Sequence, residues 1–161
     1  MRIMFVCHGN ICRSTMAEFL LKHLVRELGQ EHAFEIASSG TSAEELGNSV
    51  HPGTVKRLKQ AGVSVSNRTA VQLTKADYAH YDYLLCMDAK NVKNAKAIIG
   101  SDDAGKLMRL LDFSDKPRDI ADPWYTGNYD ATFIDIFEGL ESFLSHHKFI
   151  ETNHRFLSVT R

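Results

Sequence analysis

The segment Val6-Cys7-His8-Gly9-Asn10-Ile11-Cys12-Arg13-Ser14-Thr15 limits what this chain can become more than any other stretch. An apolar run, Ile3 to Val6, precedes it, and an apolar-periodic segment, Met16 to Leu28, follows. That is the pattern of a strand, a tight glycine-containing loop and the start of a helix. A loop feeding a helix start gathers backbone N–H groups at one spot, with the positive end of the helix dipole behind them. Such a concavity suits phosphate. Cys7 at the head of the loop supplies a nucleophile, and Arg13 at its end supplies a planar two-donor clamp. The field that attracts phosphate also favours thiolate over thiol, and Ser14 can donate a hydroxyl hydrogen bond to the sulfur. A lone cysteine beside an apolar strand is ordinarily an inert small hydrophobe. The company of Gly9, Asn10, Arg13 and Ser14 instead favours phosphate transfer through Cys7, with the loop from His8 to Ser14 holding the phosphate.

The remainder of the chain alternates strands with helices. The first helix is expected over Thr15 to Leu28, ended by Gly29, with Ser14 or Thr15 as its cap and Glu18 at capping-box spacing. Phe34 to Ser38 reads as a second strand. An irregular loop follows, and then a helix opening on Pro52 and ending near Gly62. Thr74 to His80 reads as a short helix. Tyr83 to Met87 reads as a buried strand, and Asp88 caps a helix reaching Ile99. Lys106 to Leu111 reads as a fourth strand. Phe133, Ile136, Phe137, Leu140, Phe143 and Leu144 recur at helical spacing in the last helix. Such alternation indicates an α/β fold, a parallel sheet with helices on both faces and ligands beyond the carboxyl ends of its strands. No linker or repeat divides the 161 residues, so one domain, 1–161, is expected, with 148–161 a tail of no assigned role.

Cleaving a phosphate monoester calls for a proton on the leaving oxygen, and the phosphocysteine left behind calls for an activated water. One carboxyl group can serve both steps in turn. Asp122, ahead of Pro123, Trp124 and Tyr125, is the best placed by sequence, because the proline stiffens the turn and the aromatics can shield the carboxyl and wall an aryl substrate. Asp-Pro is otherwise a common turn opener. Asp119, three residues earlier, is expected to be merely solvated.

The run Phe5 to Ser14 resembles the signature of the low-molecular-weight protein tyrosine phosphatases, and Asp122-Pro123-Trp124-Tyr125 resembles their general-acid loop. The similarity spans Met1 to about His147. It implies a four-stranded parallel sheet ordered 2-1-3-4, with the phosphate loop after the first strand. It also implies hydrolysis of phosphotyrosine and aryl phosphates with Cys7, Arg13 and Asp122 as the catalytic set. Asn10 and Ser38 are implied to hold the loop in shape, and His8, Ile11, Glu44, Trp124 and Tyr125 to rim the aryl pocket. Several positions depart from the commonest family pattern. His8 replaces a leucine, Trp124 a tyrosine and Thr15 a proline. Thr126 is additional, and Arg68 or Asn67 stands where many members carry a histidine. These changes bear on substrate preference.

Cys12 follows the nucleophile by five residues in a loop that must curl tightly, so it is expected to be a redox partner able to trap a Cys7 sulfenic acid as a disulfide. Cys7, Cys12 and His8 are not expected to hold a metal, nor is a cofactor expected. His146, His147 and His154 are expected to be exposed, and Tyr78, Tyr81 and Tyr83 to serve packing. A formal net charge of −1 gives no reason to expect a nucleic-acid or membrane partner. The chain opens without a signal-peptide pattern, and three cysteines make no disulfide framework, which points to the cytoplasm. Partners are phosphotyrosine proteins or small aryl phosphates, and the oligomeric state stays open, monomer included. Two rivals share the scaffold. An arsenate reductase would need a downstream cysteine pair where only Cys86 exists, and a phosphocysteine carrier domain should lack the acid at Asp122.

Overall fold

β1 (Arg2–Cys7) sits in the middle of the sheet, and its sequence explains why. After exposed Arg2, all five residues are buried, the continuous apolar run of a parallel strand covered on both faces. A computed structural model describes all residues, Met1–Arg161. β1 pairs in parallel with β2 (Glu35–Gly40) from Arg2↔Glu35 to Cys7↔Gly40. On its other side it pairs in parallel with β3 (Tyr83–Cys86), which in turn pairs with β4 (Leu107–Arg109). The order is β2-β1-β3-β4, as the resemblance implied.

Alternate residues of β1 feed opposite faces. Ile3, Phe5 and Cys7 join the main core with α1 (Arg13–Glu27) and α6 (Tyr129–His146). Met4 and Val6 join a smaller cluster with Leu84, Cys86 and the inner residues of α4 (Ala89–Ile99), beside α3 (Lys75–His80). α2 (Pro52–Gln60) lies on the main-core side, with Pro52 in its first turn and Leu58 inward. α6 approaches the chain after β4 so closely that a Cβ on Gly139 would sit 2.5 Å from Leu110 Cγ.

Some boundaries differ from the sequence expectation. β4 stops at Arg109, because Asp112 turns back to accept from the Arg109 backbone N–H at 2.8 Å and Leu110–Phe113 winds into a 3-10 turn. α1 starts at Arg13 rather than Thr15. The Thr15–Glu18 capping box does not form: Thr15 donates to the Cys12 carbonyl at 2.9 Å, and Glu18 is drawn into a buried network instead. Asp119 is not merely solvated, since it accepts from Arg109 and from the Ala89 backbone N–H at 3.1 and 2.9 Å. His147 and His154 are half-buried against phenylalanine rings, with only His146 of the three exposed. The C-terminal tail packs against the core. Phe156 is buried, Thr160 donates to the Ala61 carbonyl, and Glu27 accepts from the backbone of Leu157 and Ser158. No helix is long and apolar enough to cross a membrane.

Candidate active site

Cys7 is the last residue of β1, so the loop after it forms at the carboxyl end of the central strand. β2 ends beside it on Gly40, where a Cβ would lie 2.6 Å from the His8 carbonyl oxygen. Only glycine lets the loop sit that close. Asn10 turns the loop with φ 58°, a left-handed conformation that asparagine tolerates. Its backbone N–H reaches Cys7 Sγ at 3.3 Å.

The start of α1 is left bare. No side chain caps it and no acidic residue stands in its first turn. The protein's own groups therefore leave the positive helix end open to an anion. Asp88 and Asn128, by contrast, cap α4 and α6 in the ordinary way.

A buried hydrogen-bond network fixes the loop. Asn10 Nδ2 donates to Ser14 Oγ at 2.8 Å and to Ser38 Oγ at 3.0 Å. Ser14 Oγ lies 3.0 Å from Cys7 Sγ, and because it accepts from Asn10 its own O–H is free to donate to the sulfur. Asn10 Oδ1 accepts from the Val71 backbone at 3.0 Å and from Arg68 Nη2 at 2.5 Å. Arg68 also donates to Ser38 and pairs with Glu18, whose other partner is Lys22 at 2.6 Å. Of the two candidates for the family's histidine position, Arg68 is the one that enters the network.

Arg13 is 2% exposed. Both protons of Nη1 are engaged, by Asp88 Oδ2 at 2.6 Å and the Ile120 carbonyl at 2.8 Å, while Nη2 faces Asp122 Oδ2 at 3.4 Å. Burial alone would depress this guanidinium's pKa. The negative charge at Cys7 and the carboxylates of Asp88 and Asp122 outweigh burial and raise it. Asp88, read from sequence only as a helix cap, thus has two duties. Its Oδ1 caps α4 through Asn91 N–H at 2.7 Å, and its Oδ2 holds Arg13.

Asp122 stands across from the cysteine loop at the start of the short helix α5 (Pro123–Thr126). Its Oδ1 accepts from Trp124 N–H at 3.0 Å. The segment is tied down on both sides. Ile120 N–H donates to the Met87 carbonyl at 2.9 Å, and Thr132 Oγ1 donates to the Ala121 carbonyl at 3.0 Å. The pocket between these parts is lined by Cys7, Arg13 and Asp122 together with His8, Ile11, Glu44, Trp124 and Tyr125. Gly9, Cys12 and Glu45, the last not anticipated, also face it. The aromatics shield Asp122 less than expected, because Trp124 and Tyr125 are 58% and 82% exposed. They form a projecting wall, and His8 faces Glu44 at 3.3 Å across the mouth.

Cys12 is buried under the loop, 4.0 Å from the Tyr129 hydroxyl, which lies 2.8 Å from His51 Nδ1. Burial pushes its thiol up to about 12. Cys86 lies fully buried in β3, its thiol also raised by burial.

Comparison with known proteins agrees with this architecture. Residues 2–153 match the model of the low molecular weight phosphotyrosine protein phosphatase family. The chain is 34% identical over 145 residues to the low molecular weight protein-tyrosine-phosphatase YfkJ of Bacillus subtilis, covering 89% of this chain and 93% of that one. The crystal structure of YfkJ superposes with a TM-score of 0.86, over 91% of this chain and 93% of that one. The low molecular weight protein tyrosine phosphatase SP-PTP of Streptococcus pyogenes superposes with a TM-score of 0.81 at 34% identity, over 90% and 91% of the two chains. By its cysteine loop, its sheet order and these likenesses, the chain belongs to the low molecular weight phosphotyrosine protein phosphatase family.

Proposed function

We propose that this protein hydrolyses phosphotyrosine in proteins, and small aryl phosphates, through a phosphocysteine intermediate. The observation that carries the reading is the convergence on Cys7 Sγ of two donors, Asn10 N–H at 3.3 Å and Ser14 Oγ at 3.0 Å, in a pocket whose opposite wall is Asp122. Donors so placed fix the sulfur where it lines the pocket with Arg13 and Asp122, as a nucleophile requires.

With Nη1 held by Asp88 and Ile120, Arg13 keeps Nε–H and one Nη2–H as a fork for two phosphate oxygens. The loop amides from His8 to Arg13 and the uncapped start of α1 serve the remaining negative charge, with Ser14 completing the cradle. These groups supply the positive potential that a metal would otherwise bring. Cys7 Sγ attacks phosphorus in line as the aryl oxygen leaves, and Asp122 gives that oxygen its proton. Asp122, now a carboxylate, takes a proton from the water that attacks the phosphocysteine. Phosphate then leaves and the thiolate returns. Ser14 supports the sulfur as leaving group in that second step. His8, Ile11, Glu44, Trp124 and Tyr125 flank the aryl ring.

Cys12 is the redox partner in this reading. It lies under the same loop as Cys7 and can condense with a sulfenic acid formed there by peroxide, releasing water. A mechanism built on a free thiolate suits a reducing compartment, so the cytoplasm is the assigned location.

The test is turnover of p-nitrophenyl phosphate and a phosphotyrosine peptide in the presence of EDTA, with trapping of the 80-Da phospho-adduct on Cys7 by rapid quench and mass spectrometry, roughly the mass of one added phosphoryl group. Cys7→Ser should abolish turnover while the folded protein still binds vanadate. Activity within about tenfold of wild type in that variant would overturn the mechanism.

A further inference from the structure

The catalytic pocket has a neighbour. His8, Arg13, Asp122 and Tyr125 line both it and a trough whose far wall is α4, so the two depressions share one rim. On the trough side the α4 wall presents Lys90 and Asn94. Lys90 is exposed and Asn94 half-buried, and neither side chain has a hydrogen-bond or ion-pair partner in the protein.

Charge is distributed unevenly around the mouth. The pocket side carries Glu44 and Glu45. In the trough, Asp88 has both oxygens engaged, by Arg13 and the Asn91 N–H, and Asp122 is turned to Arg13 and Trp124 N–H. The imidazole of His8 is directed to Glu44. Lys90 is therefore the one cation of the trough left without an anion, beside an amide that can also donate.

We infer that the trough is a subsite for a carboxylate side chain, aspartate or glutamate, that flanks the phosphotyrosine of a peptide substrate, with Lys90 as its ion partner and Asn94 as a second donor. The inference rests on the phosphotyrosine reading above and gives it a sequence preference. An extended peptide advances about 3.3 Å per residue, so a residue one to three positions from the phosphotyrosine spans the shared rim. An exposed pair of this kind is modest in strength and screened by salt. Its signature is a preference of about threefold rather than an absolute requirement.

The experiment measures kcat/KM for three phosphotyrosine peptides: alanine on both sides, glutamates on the N-terminal side, and glutamates on the C-terminal side. Wild type, Lys90→Ala and Lys90→Glu are compared, with p-nitrophenyl phosphate as a substrate that cannot reach the trough. Wild type should favour one glutamate peptide about threefold over the alanine peptide, less so at high salt. Lys90→Ala should erase that preference and Lys90→Glu should reverse it, with p-nitrophenyl phosphate turnover unchanged in both. No preference in wild type, or a preference that survives Lys90→Ala, overturns the subsite. Failure of wild type to turn over p-nitrophenyl phosphate would overturn the phosphatase reading itself, and the subsite with it.

Discussion

Arg68 Nη2 lies 2.5 Å from Asn10 Oδ1, and from that contact hydrogen bonds run in one direction, through Asn10 Nδ2 to Ser14 and from Ser14 to Cys7. Asn10 is held in a left-handed turn, which costs a non-glycine residue about 1 kcal/mol. A guanidinium outside the loop offsets that cost and fixes which amide atom faces Ser14. Glu18, buried beside it, keeps the guanidinium in place.

Removing this anchor should loosen the loop without touching a reacting atom. Arg68→Ala should lower kcat/KM by about tenfold, through misplacement of the loop, and stability by about 2 kcal/mol, as expected for a lost hydrogen bond to a charged group. Arg68→Lys keeps a cation without the fork and should fall between. Vanadate binding and thermal midpoints of both variants check this. Full activity in Arg68→Ala would show that Val71 N–H and the two serines can hold Asn10 without it.

Asp88 separates two duties that substitution can split. Asn is as good a helix cap as Asp, so Asp88→Asn should keep the cap, and any fall in its thermal midpoint reports the charge lost beside buried Arg13. It should still lower kcat/KM about tenfold, because Arg13 loses its charged tether. Asp88→Ala should lose the cap as well, by about 1 kcal/mol. Equal stability of the Asn and Ala variants would show that the cap contributes nothing.

For Asp122, the discriminating variable is the leaving group. Asp122→Asn should lower kcat by roughly 10²–10⁴-fold for phosphotyrosine. The loss should shrink for aryl phosphates whose phenols are strongly acidic, since these need little protonation. A uniform loss across leaving groups would mean that Asp122 is not the acid.

How much of this was legible beforehand depends on how local the signal is. The loop after β1, the strands and α4 with its Asp88 cap follow from apolar runs and cap residues that lie next to each other in the chain. Arg68, Glu18 and the second duty of Asp88 are long-range: Arg68 meets Asn10 across 58 positions, and Asp88 meets Arg13 across 75. No periodicity encodes such pairings. Glu18 was misread for the same reason, its capping-box spacing being real while Ser38 and Arg68 outcompete the helix start for its carboxylate. The apolar residues of the tail, Phe149, Ile150, Phe156, Leu157 and Val159, follow no period, so its docking could not be read from them.

That tail yields a pH-dependent prediction. Burial works to raise the Glu27 pKa, but the Ser158 hydroxyl and the Ser158 and Leu157 N–H groups outweigh it, and the carboxyl is lowered below its ordinary value. A carboxyl lowered in the folded state stabilises above its unfolded pKa, and that stabilisation is lost as pH falls through the folded value. Residues 154–161 should therefore release at acid pH before the sheet melts. Glu27→Gln should mimic this release at neutral pH. Faster hydrogen exchange at Leu157 and Ser158 in Glu27→Gln checks it, and unchanged exchange would show that Phe156 and the Thr160 bond to Ala61 hold the tail without Glu27.

Cys12 supplies the last prediction. Its thiol, pushed up to about 12 by burial, stays protonated at neutral pH and is a poor target for peroxide. It can act only after Cys7 is oxidised, by attacking the Cys7 sulfenic acid as thiolate, and below its pKa that thiolate fraction grows about tenfold for each unit the pH rises. Two results should follow. Wild type treated with peroxide and then dithiothreitol should recover most of its activity, whereas Cys12→Ser should recover much less, its Cys7 having gone on to sulfinic acid. Recovery in wild type should also improve as the peroxide step is moved from pH 6 to pH 8, because resolution gains on over-oxidation. Cys86→Ser should match wild type, since Cys86 is fully buried in β3. Equal recovery in Cys12→Ser, with no peptide linking Cys7 to Cys12 by mass spectrometry, would leave Cys12 as packing beneath the loop.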